Sequence, residues 1–308
     1  MGIFKFSRKK IILAGVMTSA CCVLMVVFPS IALCSARKGI SLWLSNVLPA
    51  LLPFFICANF LQDIGVIRIF RSGVFPFVMS VLSGYPMGAK IVGDLRRDGE
   101  ISQREAMRLM SFCSTSGPAF MVGAVGAGML GSGMLGGIIA AAHYAGAFLN
   151  GLLYTRLLGR DDAPAGPLSC GVSEAKGLQE SFTDAILLSF RSLGIVLAYI
   201  VLFMFVTDFL HMCGGFSMIE SMQLRVLAKG FFEMTVGCGA AAECAGAAES
   251  VKCVMCAAIM SWGGLSVLGQ TMSMLSGTGI PAGYLVISKI THSLFAAAAA
   301  FIICGAVL

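Results

Sequence analysis

The chain has 308 residues, of which 36 (12 %) are Asp, Glu, Lys or Arg, against 58 % hydrophobic. A soluble domain carries about a quarter charged residues, and a mean hydropathy of +0.92 would leave it aggregating through exposed apolar patches. Disorder, a secreted disulfide scaffold and a nucleic-acid-binding domain are excluded by the same figures. The net charge of +6 is spread along the chain and reads as membrane topology. An all-α polytopic membrane protein is expected.

In chain order, Lys5, Arg8, Lys9 and Lys10 precede a charge-free run, Ile11–Ala36. The run is long for a signal peptide and no small-x-small site follows it; Thr18–Cys21 resembles a lipoprotein site without its leucine. Residues 1–38 are therefore read as an N-terminal transmembrane helix. Gly39–Gln62 is a second run of spanning length. Ser72–Ala89 is shorter and interrupted by Pro76, Gly84 and Pro86, which predicts a re-entrant or broken helix over 72–90. Ser102 and Glu105 are spaced as a capping box opening an amphipathic helix. Leu109–Thr155 is long enough for two membrane segments. Residues 159–184 form the long polar loop, read as a solvated cytoplasmic divider. Ser192–Thr207, Cys253–Ser288 and Ile290–Leu308 complete the charge-free runs.

With the N-terminus in the cytoplasm, fourteen basic residues fall inside and five outside, as the positive-inside rule requires. Across the divider the same signals recur about 150 residues apart. Ser111 and Phe112 match Ser261 and Trp262, Ser116 matches Ser266, and His143 matches His292. A glycine-rich interruption precedes each set, Ser83–Lys90 in one half and Glu233–Ala240 in the other. The first half (39–158) starts with a segment running inward, the second (185–308) with one running outward. Two inverted-topology repeats with broken helices are expected, the arrangement of secondary transporters with a midplane site.

The segments LPALLPFFICANFL (48–61), LSGYPMGAKI (82–91), LMSFCSTSGPAFMVGAVG (109–126), AAHYAGAFLNGLL (141–153) and MSWGGLSVLGQ (260–270) together resemble the YlbJ (SpoVV) family of sporulation integral membrane proteins. The resemblance implies a nucleoside-recognition Gate domain, of the kind in concentrative nucleoside transporters and ferrous-iron transporters. It also implies export of dipicolinic acid from the mother cell across the outer forespore membrane. The domain name does not make nucleosides the substrate.

A flat aromatic dianion calls for backbone N–H groups, hydroxyls, a cation and an aromatic face. Half-helix N-termini aim N–H groups at an anion. The first interruption offers Ser83, Gly84, Tyr85, Gly88 and Lys90; the second offers Ser114, Thr115, Ser116 and Gly117. Their counterparts in the other half are Gly263, Gly264, Ser266 and Gln270, with Glu233 beside the second glycine-rich stretch. Each has a structural alternative. Small and hydroxyl residues serve helix packing, Lys90 snorkels to the interface, and Glu233 pairs with Lys229 four residues earlier. His143 and His292 either relay protons or are satisfied packing residues. Arg191 and Asp208 read as interfacial anchors.

Most of the twelve cysteines lie in apolar runs and act as small hydrophobes. Cys253 and Cys256 lack the second pair that a metal site needs. No catalytic fingerprint is present, so neither an enzyme, a cofactor nor a metal is expected. The expected partners are a small anionic aromatic solute and the lipid bilayer, with a homo-oligomer compatible and no nucleic acid. The rival readings are a nucleoside or other small-solute carrier, and a non-transporting sporulation scaffold or regulator.

Overall fold

A computed structural model describes residues 8–65, 74–159 and 177–308. Among these residues the secondary structure is helical throughout: α1 (Arg8–Val27), α2 (Pro29–Leu42), a π-helical turn Trp43–Val47, α3 (Leu48–Asp63), α4 (Val74–Ser83), α5 (Met87–Arg97), α6 (Gln103–Met110), a second π-helical segment Ala119–Met129, α7 (Gly133–Leu158), α8 (Leu178–Met212), α9 (Met222–Phe232), α10 (Met234–Ala242), α11 (Glu249–Trp262), α12 (Gly264–Met274) and α13 (Ala282–Val307).

Four of these stretches are long and apolar enough to cross a bilayer: Gly133–Leu158, Leu178–Met212, Glu249–Met274 and Ala282–Val307. The chain is a multi-pass membrane protein. The run Ile11–Ala36 is not the single straight span the sequence suggested. Pro29 at the first position of α2 interrupts it, and the helices on either side are bent by 103°. The polar divider is also shorter than expected, because α8 begins at Leu178; residues 160–176, like Arg68 and Arg71, lie outside the described residues.

The elements follow one order twice. A long helix comes first, then two short helices meeting at a break, then an interrupted helix, then a 26-residue helix. Residues 29–63 and α8 lie antiparallel along their lengths. Phe28 meets Phe209 at one end and Phe60 meets Phe182 at the other, with ring centroids 5.4 and 5.6 Å apart. Between them Asn59 Nδ2 donates to Ser189 Oγ at 2.9 Å, and Asp208 accepts from Ser35 Oγ at 2.7 Å and Lys38 Nζ at 3.3 Å. Asp208 thus anchors one long helix to the other. α7 and α13 are likewise antiparallel. A Cβ on Gly146 would stand 2.9 Å from Ala296 Cα, and Tyr154 meets Tyr284 edge to face at 5.2 Å. Corresponding helices of the two halves therefore run in opposite directions and pack on each other.

The interruptions have local causes. α4 ends where Gly84 takes φ +80 and Pro86 follows through a cis peptide bond; proline supplies no N–H and keeps Tyr85 out of helical conformation. α11 and α12 are separated by Gly263 and Gly264, at φ +84 and +77, a region from which side chains are excluded sterically. Ser102 caps α6 by accepting from the Glu105 N–H at 3.0 Å.

Candidate functional site

The four interruptions meet in two pairs. A Cβ on Gly84 would lie 2.6 Å from the Gly117 nitrogen, and one on Gly264 would lie 3.0 Å from the Phe232 carbonyl oxygen. In each half, then, a glycine lets the break between two short helices touch the break in the interrupted helix. A cavity of ≈ 430 Å³ opens where these pairs meet. Ser83, Gly84 and Tyr85 line it from the first break, Ser116, Gly117, Ala119 and Phe120 from the second, and Glu233, Met234 and Thr235 from the third. Val267 and Gln270 of α12 complete that side, and the long helix pair closes the other with Ser45, Val47, Val196 and Ile200.

The 111–118 stretch is unwound and buried, so its backbone polar groups need partners from elsewhere. Side chains of α7 and α13 supply them. Asn150 Nδ2 donates to the Ser111 carbonyl at 2.7 Å, and Lys289 Nζ to the Ser114 carbonyl at 3.0 Å. The Ser116 N–H donates to His143 Nε2 at 3.0 Å, and the Tyr144 hydroxyl donates to the Ser116 carbonyl at 3.0 Å. Because Nε2 accepts, a neutral His143 carries its proton on Nδ1 and gives it to Ser261 Oγ, 2.8 Å away. His292 Nε2 in turn donates to the His143 carbonyl at 3.0 Å. The matching histidines thus meet at the crossing of α7 and α13, with ring centroids 4.8 Å apart.

The expected site residues divide into two groups. Ser83, Gly84, Tyr85, Ser116, Gly117, Glu233 and Gln270 border the cavity. Ser83 Oγ is buried and has no hydrogen-bond partner among the described residues, which leaves it available to a ligand. The Tyr85 hydroxyl donates to the Met260 carbonyl at 3.1 Å, fixing the ring, and Gln270 Nε2 donates to Ser266 Oγ at 3.3 Å. Gly88, Lys90, Ser114, Thr115, Gly263, Gly264 and Ser266 do not border it. Gly88 serves packing, since a Cβ there would overlap the Cys113 carbonyl oxygen. Thr115 donates to Ser80 at 3.2 Å.

Lys90 differs most from expectation. Its ammonium pairs with Asp94 one turn along α5, at 2.8 Å, and Asp94 also binds Arg97. Helical spacing brings i and i+4 together, and this neutralises Lys90 away from the cavity. Glu233 does not pair with Lys229. Its carboxylate caps α10, accepting from the Val236 N–H at 2.8 Å, while Lys229 Nζ lies over the Phe216 ring.

Three polar groups escaped the sequence reading. Thr235 sat within a glycine-rich stretch already singled out, and Ser45 gave no signal. Lys289 is the third. It is 4 % exposed, and its mark in the sequence was an isolated charge between two long uncharged runs, 253–288 and 290–308.

Over 85 % of its length the chain is 30 % identical to the sporulation integral membrane protein YlbJ of Bacillus subtilis (strain 168), of which it covers 75 %. No family model matches the chain, and no solved structure matches it.

Proposed function

Since the chain belongs to the YlbJ family of sporulation integral membrane proteins, we propose that it carries a small aromatic anion, dipicolinate, out of the mother cell across the outer forespore membrane. The observation that carries the reading is the cavity of ≈ 430 Å³ at the meeting point of breaks from both halves. That volume falls within the roughly 300–1,000 Å³ of small-molecule sites. Interrupted helices around such a space, in halves of opposite direction, are the arrangement of carriers that rock one half against the other. Tyr85 offers a ring for stacking and Ser83 an uncommitted hydroxyl. Backbone at the breaks supplies further polar groups without the cost of a second buried charge. In this scheme the N-terminus faces the cytoplasm, which the distribution of basic residues supports, and no catalytic step enters it.

One observation favours a second reading, a carrier of neutral solutes such as nucleosides. The charged side chain on the cavity wall is Glu233, whose carboxylate repels an anion when ionised, while Lys90 is already paired.

Reconstitution into liposomes tests both. Purified protein should drive uptake of labelled dipicolinate, unaffected by excess uridine, and Tyr85→Ala should reduce it at least tenfold. Folded protein that moves no dipicolinate overturns the proposal. Full inhibition by uridine transfers support to the neutral-solute reading, and unchanged spore formation in a strain carrying Ser83 and Tyr85 substitutions supports a scaffold instead.

A further inference from the structure

We infer that Lys289 is the buried counter-charge of the cavity, acting on an anionic aromatic solute through the ring of Tyr85. This rests on the carrier reading above and gives it a residue that recognises charge. Lys289 Nζ lies 3.9 Å from the centroid of the Tyr85 ring, and its Ser114 contact is 3.0 Å long. Tyr85 borders the cavity and Lys289 does not, so the ammonium touches a ring of the lining without lining the cavity itself. Among the described residues, no ion pair includes Lys289.

A buried ammonium without a carboxylate is costly. The ring face and one carbonyl offset part of that cost. An anion entering the cavity supplies the missing opposite charge, whereas a neutral solute does not. The ammonium also withdraws electron density from the ring, so the Tyr85 ring repels the carboxylates of a stacked solute less. A solute stacked on that ring sits roughly 7–8 Å from Nζ. At an effective dielectric of about 20 the attraction there is worth a few tens of fold in affinity. Glu233, also on the cavity wall, is held as the cap of α10, and its charge opposes the attraction from Lys289.

The bland role of Lys289 is to hold the Ser114 carbonyl, and the test separates it from charge recognition. Lys289→Gln keeps an N–H donor and removes the charge; Lys289→Arg keeps both. Binding of dipicolinate, benzoate and the neutral analogue pyridine-2,6-dimethanol is measured by calorimetry on detergent-solubilised protein, with thermal unfolding alongside. Lys289→Gln should weaken the two anions at least tenfold and leave the neutral analogue within twofold, and Lys289→Arg should restore anion binding. Equal loss for anions and neutral analogue, or anion binding unchanged in Lys289→Gln, overturns the inference. Should both substitutions unfold the protein, Tyr85→Leu, which removes the polarised ring, must lower the anion-to-neutral ratio of affinities; an unchanged ratio overturns it. Wild-type protein that binds benzoate but not dipicolinate overturns the dipicolinate reading alone. Wild-type protein that binds no aromatic anion overturns both.

Discussion

Gly84 is where two breaks touch, and replacing it separates backbone conformation from contact. Gly84 and Gly99 both take positive φ, +80 and +75. Alanine in that region costs about 1–2 kcal/mol, less a few tenths regained by restricting the unfolded chain. Nothing lies within 4 Å of a Cβ on Gly99, whereas a Cβ on Gly84 meets the Gly117 nitrogen at 2.6 Å and its Cα at 3.2 Å. Both obstacles are backbone, so the breaks must move apart by several tenths of an ångström, an overpacking cost of about 1–3 kcal/mol. Gly84→Ala should therefore be less stable than Gly99→Ala by ~1–3 kcal/mol, measured by denaturant titration in detergent micelles with circular dichroism. It should also widen the cavity mouth and lower solute affinity, while Gly99→Ala leaves affinity unchanged. Equal stabilities for the two variants would refute the contact between breaks.

Two further outcomes follow from the polar scaffold. Asn150 is fully buried, donates to the Ser111 and Ser288 carbonyls and accepts from Thr291 Oγ1 at 2.6 Å. Asn150→Leu should cost ~2–4 kcal/mol by leaving those groups unpartnered, read as a lowered thermal midpoint, and a change under 0.5 kcal/mol would contradict the backbone accounting. Asp94→Asn should cost ~1–3 kcal/mol: the Arg97 pair is partly exposed and weak, whereas Lys90 is buried and loses its carboxylate partner. The difference should shrink as salt is added, and a salt-independent difference would count against an electrostatic origin.

The membrane class was legible because the absence of charge is a property of composition. The breaks were legible because Gly84, Pro86, Gly263 and Gly264 impose backbone geometry locally. Which hydroxyls face the cavity was not, since Ser83 and Thr115 differ only in what stands across from them: open space for one and Ser80 for the other. Lys90 misled for a related reason. Its charge stands in the right segment, but helical spacing puts Asp94 one turn on, where it takes the ammonium. Lys289 was passed over because a single lysine between two apolar runs looks like a boundary. Here α13 runs straight through it, and the partners that hold it, Ser114 and Tyr85, lie 175 and 204 positions earlier in the chain.

Arg97 stands on α5, in the first half, yet its guanidinium binds the carbonyls of Met274 and Ser276 at the far end of α12, each at 2.9 Å. It terminates a helix belonging to the other half. Any rocking that slides α5 past α12 must strip both carbonyls from Arg97 together, so the two hydrogen bonds work as a latch that is shut in this conformation. The latch lies at a partly exposed edge, where water can take over both carbonyls as it opens. Its release is therefore cheap in any such motion.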